Sequence, residues 1–122
     1  WSFGRLARSL RRRALNEAEI QRAVFHQLKQ RAVPGAVFWH CPNDESSRRK
    51  AGYRPGVSDV NIVHRGDFYA LELKKDGGRP SVEQLRFLSE INTAGGYGCV
   101  AEGLDEAIAC LESWGLLRGR VI

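Results

Sequence analysis

With 122 residues, 43% of them hydrophobic, the chain can form one compact domain with a modest core and is too short for two. The formal charge of +5 lies entirely at its beginning: residues 1–13 contain five arginines and no acid, whereas the other 109 residues contain 14 basic and 14 acidic side chains. Three widely spaced cysteines, no membrane-length apolar run and no apolar signal-peptide core predict a soluble intracellular protein without a disulfide framework.

The first predicted segment, residues 1–15, is a basic arm in which a few apolar residues lie among the arginines at loosely helical spacing. Such a segment can bind nucleic-acid phosphates through salt-sensitive contacts, and the candidate contacts are Arg11, Arg12 and Arg13. Two alternatives remain open. The arm also has the composition of an organellar transit peptide, or it is a solvated extension that packs on the domain or on a partner chain.

An amphipathic helix is predicted for residues 16–32, because Ile20, Val24 and Leu28 repeat at i, i+4 and i+8. Glu17 lies beside this inward stripe. Glu19 lies on a different side of the helix and, three residues after an asparagine, has the spacing of a capping box. Periodicity therefore favours Glu17 as the acid that faces the interior, with Glu19 as the alternative.

A first strand is predicted for residues 36–41, since Pro34-Gly35 ends the helix and the next residues are mostly β-branched or aromatic. His40, near the end of this strand, is expected to be structural. Residues 42–55 then form a flexible basic loop, and its position directly before the next strand favours phosphate contact over a purely solvated role. Its candidate phosphate contacts are Asn43, Arg48, Arg49, Lys50 and Arg54, with Lys75 further along the chain.

Residues 55–75 contain two β-rich runs separated by a short break and predict a β-hairpin. A two-residue loop, Arg65-Gly66, would place Asp59 directly opposite Glu72, with Cβ atoms ~4.5–5.5 Å apart. Two carboxylates so close repel each other unless a cation lies between them or one stays protonated. Oxygen ligands at this spacing suit Mg²⁺ or Mn²⁺, and Lys74, on the same face as Glu72, can hold a water or a phosphate.

A second helix is predicted for residues 81–94, with Leu85, Leu88 and Ile91 as core candidates. Gln84 points to the interior side, and it also has the spacing of a capping box with Ser81, so both roles remain open. A fourth strand (residues 97–101) and a final helix follow. The predicted inner face of that helix consists of Leu104, Ala107, Ile108, Leu111 and Trp114. The connection between the last two strands is long enough for a parallel βαβ unit, which predicts an α/β fold with a mixed sheet between helices.

An Asp on one strand and a Glu-x-Lys on the next resembles the PD-(D/E)xK nuclease superfamily, with its restriction-endonuclease-like fold, and in detail its VRR-NUC branch. The resemblance covers roughly residues 16–112. It rests on Gly56-Val57-Ser58-Asp59, on Glu72-Leu73-Lys74, on the helix-borne Gln84, and on Glu17 or Glu19, with Gln21, in an early helix. Ser58 is a departure, because the family usually has a proline before the Asp.

The resemblance implies an αβββαβ core within a single domain at residues 16–122, and a metal-dependent endonuclease acting on DNA, with branched, flapped or junction DNA as the expected substrate. It implies one or two Mg²⁺ or Mn²⁺ ions held by Asp59, Glu72 and the backbone carbonyl of Leu73, with Glu17 or Glu19 sharing in the site. Lys74 and Gln84 would complete the catalytic set, and small members of the branch resemble homodimers. Two alternatives are a catalytically inactive nucleic-acid-binding module and an interaction domain in which Glu72 and Lys74 are ordinary surface charges.

Overall fold

A mixed four-stranded sheet with helices on both faces organises the residues that the computed structural model describes, 14–42 and 45–119. In chain order the elements are α1 (Glu17–Arg31), β1 (Val37–Trp39), a 3-10 helix (Glu45–Arg49), β2 (Val60–His64), β3 (Asp67–Lys74), α2 (Val82–Thr93), β4 (Tyr97–Glu102) and α3 (Leu104–Ser113). The strands lie in the order β1-β2-β3-β4; the first three are antiparallel and β4 is parallel to β3. The predicted α/β architecture is confirmed.

The hairpin between β2 and β3 has the predicted register. His64 pairs with Asp67, and Val60 pairs with Leu71. This register sets Asp59, directly before β2, opposite Glu72 of β3. Its two turn residues, Arg65 and Gly66, have φ angles of 53° and 83°. Two positive φ angles in a two-residue loop are typical of a type I′ turn, whose twist matches that of the flanking strands. The register of the candidate site therefore follows from this turn.

The sheet separates two groups of buried apolar side chains. On one face, α1 and α3 cover the inward residues of β2 and β3. The shared core on this face includes Ile20, Val24, Leu28, Val60, Ile62, Leu71, Leu73, Ala107 and Leu111. On the other face, α2 packs Phe87 and Leu88 against Ala70 of β3. Because β3 is covered on both faces, its polar Glu72 is enclosed by protein.

Two details of the prediction are wrong. Leu85 is 49% exposed, although it was expected in the core. Residues spaced by three drift around a helix by about 60° per step, so Leu85 is turned away when Leu88 and Ile91 face the sheet. β1 is also shorter than predicted, since His40 leaves the strand and its ring contacts the backbone of Asp59 instead.

No helix within residues 14–42 and 45–119 has both the length and the apolar character required to cross a bilayer.

Candidate metal centre

Asp59 lies where the loop enters β2, and its side chain and backbone are both held in place. Its Oδ2 accepts a hydrogen bond of 2.9 Å from the backbone N–H of Leu73. Its carbonyl oxygen lies 2.8 Å from Nδ1 of His40. Because a carbonyl oxygen only accepts, Nδ1 of His40 carries the proton. The sequence indicated no more than a structural role for His40. In the structure, His40 holds the backbone of Asp59 through this contact.

Glu72, on β3, is the buried acid of the site. The residue is 1% exposed, and its Oε1 accepts a hydrogen bond of 2.8 Å from Nε2 of Gln84. Its Oε2 is buried and has no hydrogen-bond partner among the residues that the structure describes. Burial, followed by the negative charge of Asp59, raises the pKa of Glu72 from 4.5 to about 9, and Lys74 opposes this shift. Glu72 is therefore protonated at neutral pH when no cation is bound.

These features fit a divalent cation. For the ionised form of Glu72, a buried oxygen without a partner and the nearby charge of Asp59 are both unfavourable as long as no cation is present. A hard cation bound by the two carboxylates relieves both, because it pairs with the open oxygen of Glu72 and offsets the repulsion from Asp59. In the described ranges, no three His, Cys, Asp or Glu side chains form a metal-binding group. Mg²⁺, however, is commonly held by one or two carboxylates together with waters and phosphate oxygens.

Lys74 and Glu17 lie beside the two carboxylates. Nζ of Lys74 is 3.6 Å from Oε1 of Glu17 and 4.0 Å from Oε1 of Glu72. Glu19 instead takes part in a capping box with Asn16: each residue's side chain accepts from the other's backbone N–H, at 3.1 and 2.8 Å. Glu19 also lines a groove of about 1000 Å³ between α1 and α3. The structure thus brings Glu17 next to Lys74, whereas a ligand role for either acid stays a prediction.

Gln84 combines the two roles that the sequence left open. Its side-chain Oε1 accepts from the backbone N–H of Ser81 at 2.7 Å, and its backbone N–H donates to Oγ of Ser81 at 3.1 Å. The capping box is therefore present. Its Nε2 simultaneously donates to Glu72. The two interpretations are compatible because a side-chain amide has an acceptor and a donor on different atoms.

Solved structures of known proteins share this fold. One, a "VRR_NUC domain protein", superposes with a TM-score of 0.71 and 25% sequence identity, covering 82% of this chain and 88% of its own. The chain has the fold of a VRR-NUC domain. A second structure, "VRR_NUC domain", matches with a TM-score of 0.60 and 19% identity over 80% of this chain and 96% of its own, a likeness that shows the fold alone. No family model matches the sequence, and no curated protein matches it.

The likeness confirms the predicted restriction-endonuclease-like fold, and the first of the two structures indicates a nuclease-type domain.

The cations predicted to contact phosphate differ in their surroundings. Arg48, Arg49 and Lys50 are exposed, as is Lys75. Arg54 already has an anionic partner, since its guanidinium donates to both carboxylate oxygens of Glu90 at 3.2 and 2.6 Å. Phosphate contact by any of them stays a prediction. The predicted contacts Asn43, Arg11, Arg12 and Arg13 lie outside the described residues.

A buried polar pair that sequence reasoning missed holds the backbone on either side of Asp59. Oγ of Ser58 donates to Oδ1 of Asn61 at 2.7 Å, and Nδ2 of Asn61 donates to the carbonyl oxygen of Ser58 at 3.2 Å. Both residues are almost fully buried. A serine and an asparagine three residues apart at the start of a strand are a recognisable signal, because such side chains often bond to nearby backbone.

Proposed function

We propose that this domain is a metal-dependent endonuclease that hydrolyses phosphodiester bonds in DNA. The observation that carries the proposal is the environment of Glu72: a buried carboxyl with an unpartnered oxygen, within the described residues, beside a second carboxylate. When both acids are ionised, a pair of this kind is unfavourable without a cation and is suited to one. Nuclease folds of this type generally use divalent metals, which supports the same conclusion.

Asp59, Glu72 and the backbone carbonyl of Leu73 would hold one or two Mg²⁺ or Mn²⁺ ions, and Glu17 is the additional candidate on α1. The chemistry supplied by such an ion is polarisation of the scissile phosphate and a lower pKa for a bound water. The N–H group of Leu73 keeps one oxygen of Asp59 occupied, which leaves the other oxygen for the ion. Gln84 holds the carboxyl of Glu72 in a fixed orientation through its 2.8 Å hydrogen bond.

Lys74 supplies a positive charge and three N–H donors beside these carboxylates. Its Nζ lies 3.6 Å from Oε1 of Glu17 and 4.0 Å from Oε1 of Glu72, directly beside the proposed ion site. In this setting Lys74 positions the attacking water and stabilises negative charge that develops on the phosphate. In this role Lys74 does not need to remove a proton from that water.

The substrate is proposed to be branched, flapped or junction DNA, with the exposed side chains of Arg48, Arg49 and Lys50 contacting phosphates near the metal site. A domain of this size spans only a small part of a junction, so a two-fold homodimer with two cleavage sites is the proposed assembly. Digests of linear, flapped and four-way-junction DNA, run beside light scattering of the purified protein, test both points. Equal cleavage of all three DNAs would contradict the substrate proposal, and a monomeric mass in scattering would contradict the dimer.

The activity itself is tested by nicking of supercoiled plasmid in Mg²⁺, Mn²⁺ or EDTA. Asp59→Asn and Lys74→Ala are expected to abolish metal-dependent nicking. Asp67→Asn and Lys29→Ala are the matched controls, because they make the same substitutions at exposed positions outside the site. Binding of DNA by the wild-type protein without nicking in either metal would contradict the proposal and would favour an inactive nucleic-acid-binding module.

A further inference from the structure

The loop that precedes Asp59 rests directly on the first turn of α2 at Gly56. A Cβ atom built on Gly56 would lie 2.4 Å from the carbonyl carbon of Glu83, 2.5 Å from its carbonyl oxygen and 2.7 Å from the backbone nitrogen of Gln84. All three contacts are with backbone atoms, which cannot rotate away as a flexible side chain can. Gly56 also has a φ of 80°, a conformation that favours glycine. Loop backbone and helix backbone are therefore in contact with no room for a side chain between them.

The peptide group that Gly56 contacts is the one that carries Gln84. Because the Gln84 side chain starts from this peptide and ends 2.8 Å from Oε1 of Glu72, the position of the first helical turn determines whether that bond forms. The same loop continues into Asp59 three residues later. One short segment thus affects both acids: Asp59 through the chain, and Glu72 through Gln84.

A second contact fixes this segment to the same helix. Arg54, two residues before Gly56, forms a bidentate ion pair with Glu90, with its Nη1 and Nη2 atoms 3.2 and 2.6 Å from the two carboxylate oxygens. Its guanidinium carbon also lies 5.2 Å from the centre of the Phe87 ring, within the range of a cation–π contact. An arginine held by both an ion pair and an aromatic ring clamps the loop against α2, one to two turns from the Gly56 contact.

We propose that Gly56 and Arg54 are positioning residues of the metal site: they hold the first turn of α2 against the loop, so that Gln84 keeps the carboxyl group of Glu72 correctly oriented beside Asp59. The contact itself is independent of the reaction, whereas its consequence for catalysis rests on the proposed nuclease function. Groups that hydrogen-bond to a metal ligand typically change metal affinity 10- to 100-fold when lost, so displacement of Gln84 is expected to matter for binding the ion.

The chain provides a matched control. Gly52 has a φ of 81°, almost identical to that of Gly56, but an added Cβ there meets no atom within 4 Å. Gly52→Ala and Gly56→Ala therefore introduce the same unfavourable backbone conformation, and only Gly56→Ala displaces α2. In metal-free protein, the side-chain amide resonances of Gln84 in a ¹H–¹⁵N NMR spectrum are expected to move toward those of a free glutamine in Gly56→Ala and to stay unchanged in Gly52→Ala.

Mn²⁺ binding by calorimetry gives the second readout. Gly56→Ala is expected to weaken Mn²⁺ binding at least about tenfold, and Gly52→Ala to leave it unchanged. The decisive comparison is a double-mutant cycle: in a Gln84→Ala background, Gly56→Ala should weaken Mn²⁺ binding clearly less than in the wild-type background, because the part of its effect that passes through Gln84 is already lost. A merely structural role for Gly56 predicts additive losses instead. If Gly56→Ala does not fold, Arg54→Gln replaces it, since that change removes the clamp without adding an atom against the helix.

Unchanged Gln84 resonances in Gly56→Ala, or in Arg54→Gln if that variant is used, would overturn the inference, as would additive losses in the cycle. The proposed function fails in a different way. A wild-type protein that shows the expected NMR difference but binds no Mn²⁺ would support the positioning contact and refute the metal-dependent nuclease.

Discussion

Replacing Glu72 by glutamine tests the electrostatics of the site without any metal. Burial, followed by the charge of Asp59, raises the pKa of Glu72 from 4.5 to about 9 in the folded protein. In the unfolded chain the same carboxyl ionises near its ordinary value. Between about pH 4.5 and about pH 9, unfolding therefore releases a proton, and the free energy of unfolding falls as the pH rises. The contribution of this group is fully present below pH 4.5 and is lost progressively up to pH 9.

Each pH unit in that window lowers the free energy of unfolding by about 1.4 kcal/mol. At pH 7, about 2.5 units above the unfolded-state pKa, the penalty is about 3 kcal/mol, and it does not depend on how far above 7 the folded-state pKa lies. Glutamine has nearly the same size and keeps an oxygen that can accept from Gln84, but it cannot ionise. Glu72→Gln is therefore expected to be more stable than the wild type by about 3 kcal/mol at pH 7 and about equally stable near pH 4.

Urea denaturation in EDTA, followed by circular dichroism between about pH 4 and about pH 8.5, measures this difference. Glu83→Gln is the matched control, because Glu83 is exposed and the change should leave the stability difference nearly independent of pH. A difference between Glu72→Gln and the wild type that stays constant over this range would show that Glu72 titrates normally, and the reasoning about the buried acid would be refuted.

Three further predictions concern the same residues. Because Glu72 is protonated at neutral pH without a cation, Mn²⁺ binding at pH 7 should release about one proton, measured by calorimetry in buffers of different ionisation enthalpy; no release would contradict the raised pKa. Gln84→Ala should weaken Mn²⁺ binding about 10- to 100-fold and also lower stability by about 1 kcal/mol through loss of the cap. Ser58→Ala leaves the buried Oδ1 of Asn61 without its donor and should lower stability by about 1–3 kcal/mol in urea denaturation, whereas exposed Ser89→Ala should change it little.

The sequence was sufficient for those parts of the site that depend on local periodicity. The position of Asp59 opposite Glu72 follows from strand alternation and from a two-residue loop at Arg65-Gly66, where the glycine permits a tight turn. The choice of Glu17 over Glu19 as the acid near Lys74 follows from helical periodicity and from the cap that occupies Glu19. In each case the decisive residues lie within a few positions of one another or on two adjacent strands.

Contacts between distant elements could not be predicted in the same way. The contact of Gly56 with the first turn of α2 depends on how a loop and a helix far apart in sequence pack together, and a glycine gives no indication of what it touches. Arg54 was predicted to contact phosphate because it lies in a basic loop, but the structure pairs it with Glu90, 36 residues away in the sequence. The exposure of Leu85 depends on the rotation of α2 about its axis, which the sheet determines.

The central claim is that Asp59 and Glu72 together bind a divalent cation, and calorimetric titration of the metal-free protein with Mn²⁺ tests it most directly. Wild-type protein is expected to show saturable binding that Asp59→Asn abolishes and that the control Asp67→Asn leaves intact. Absence of binding by the wild type, or equal binding by Asp59→Asn, would contradict the claim.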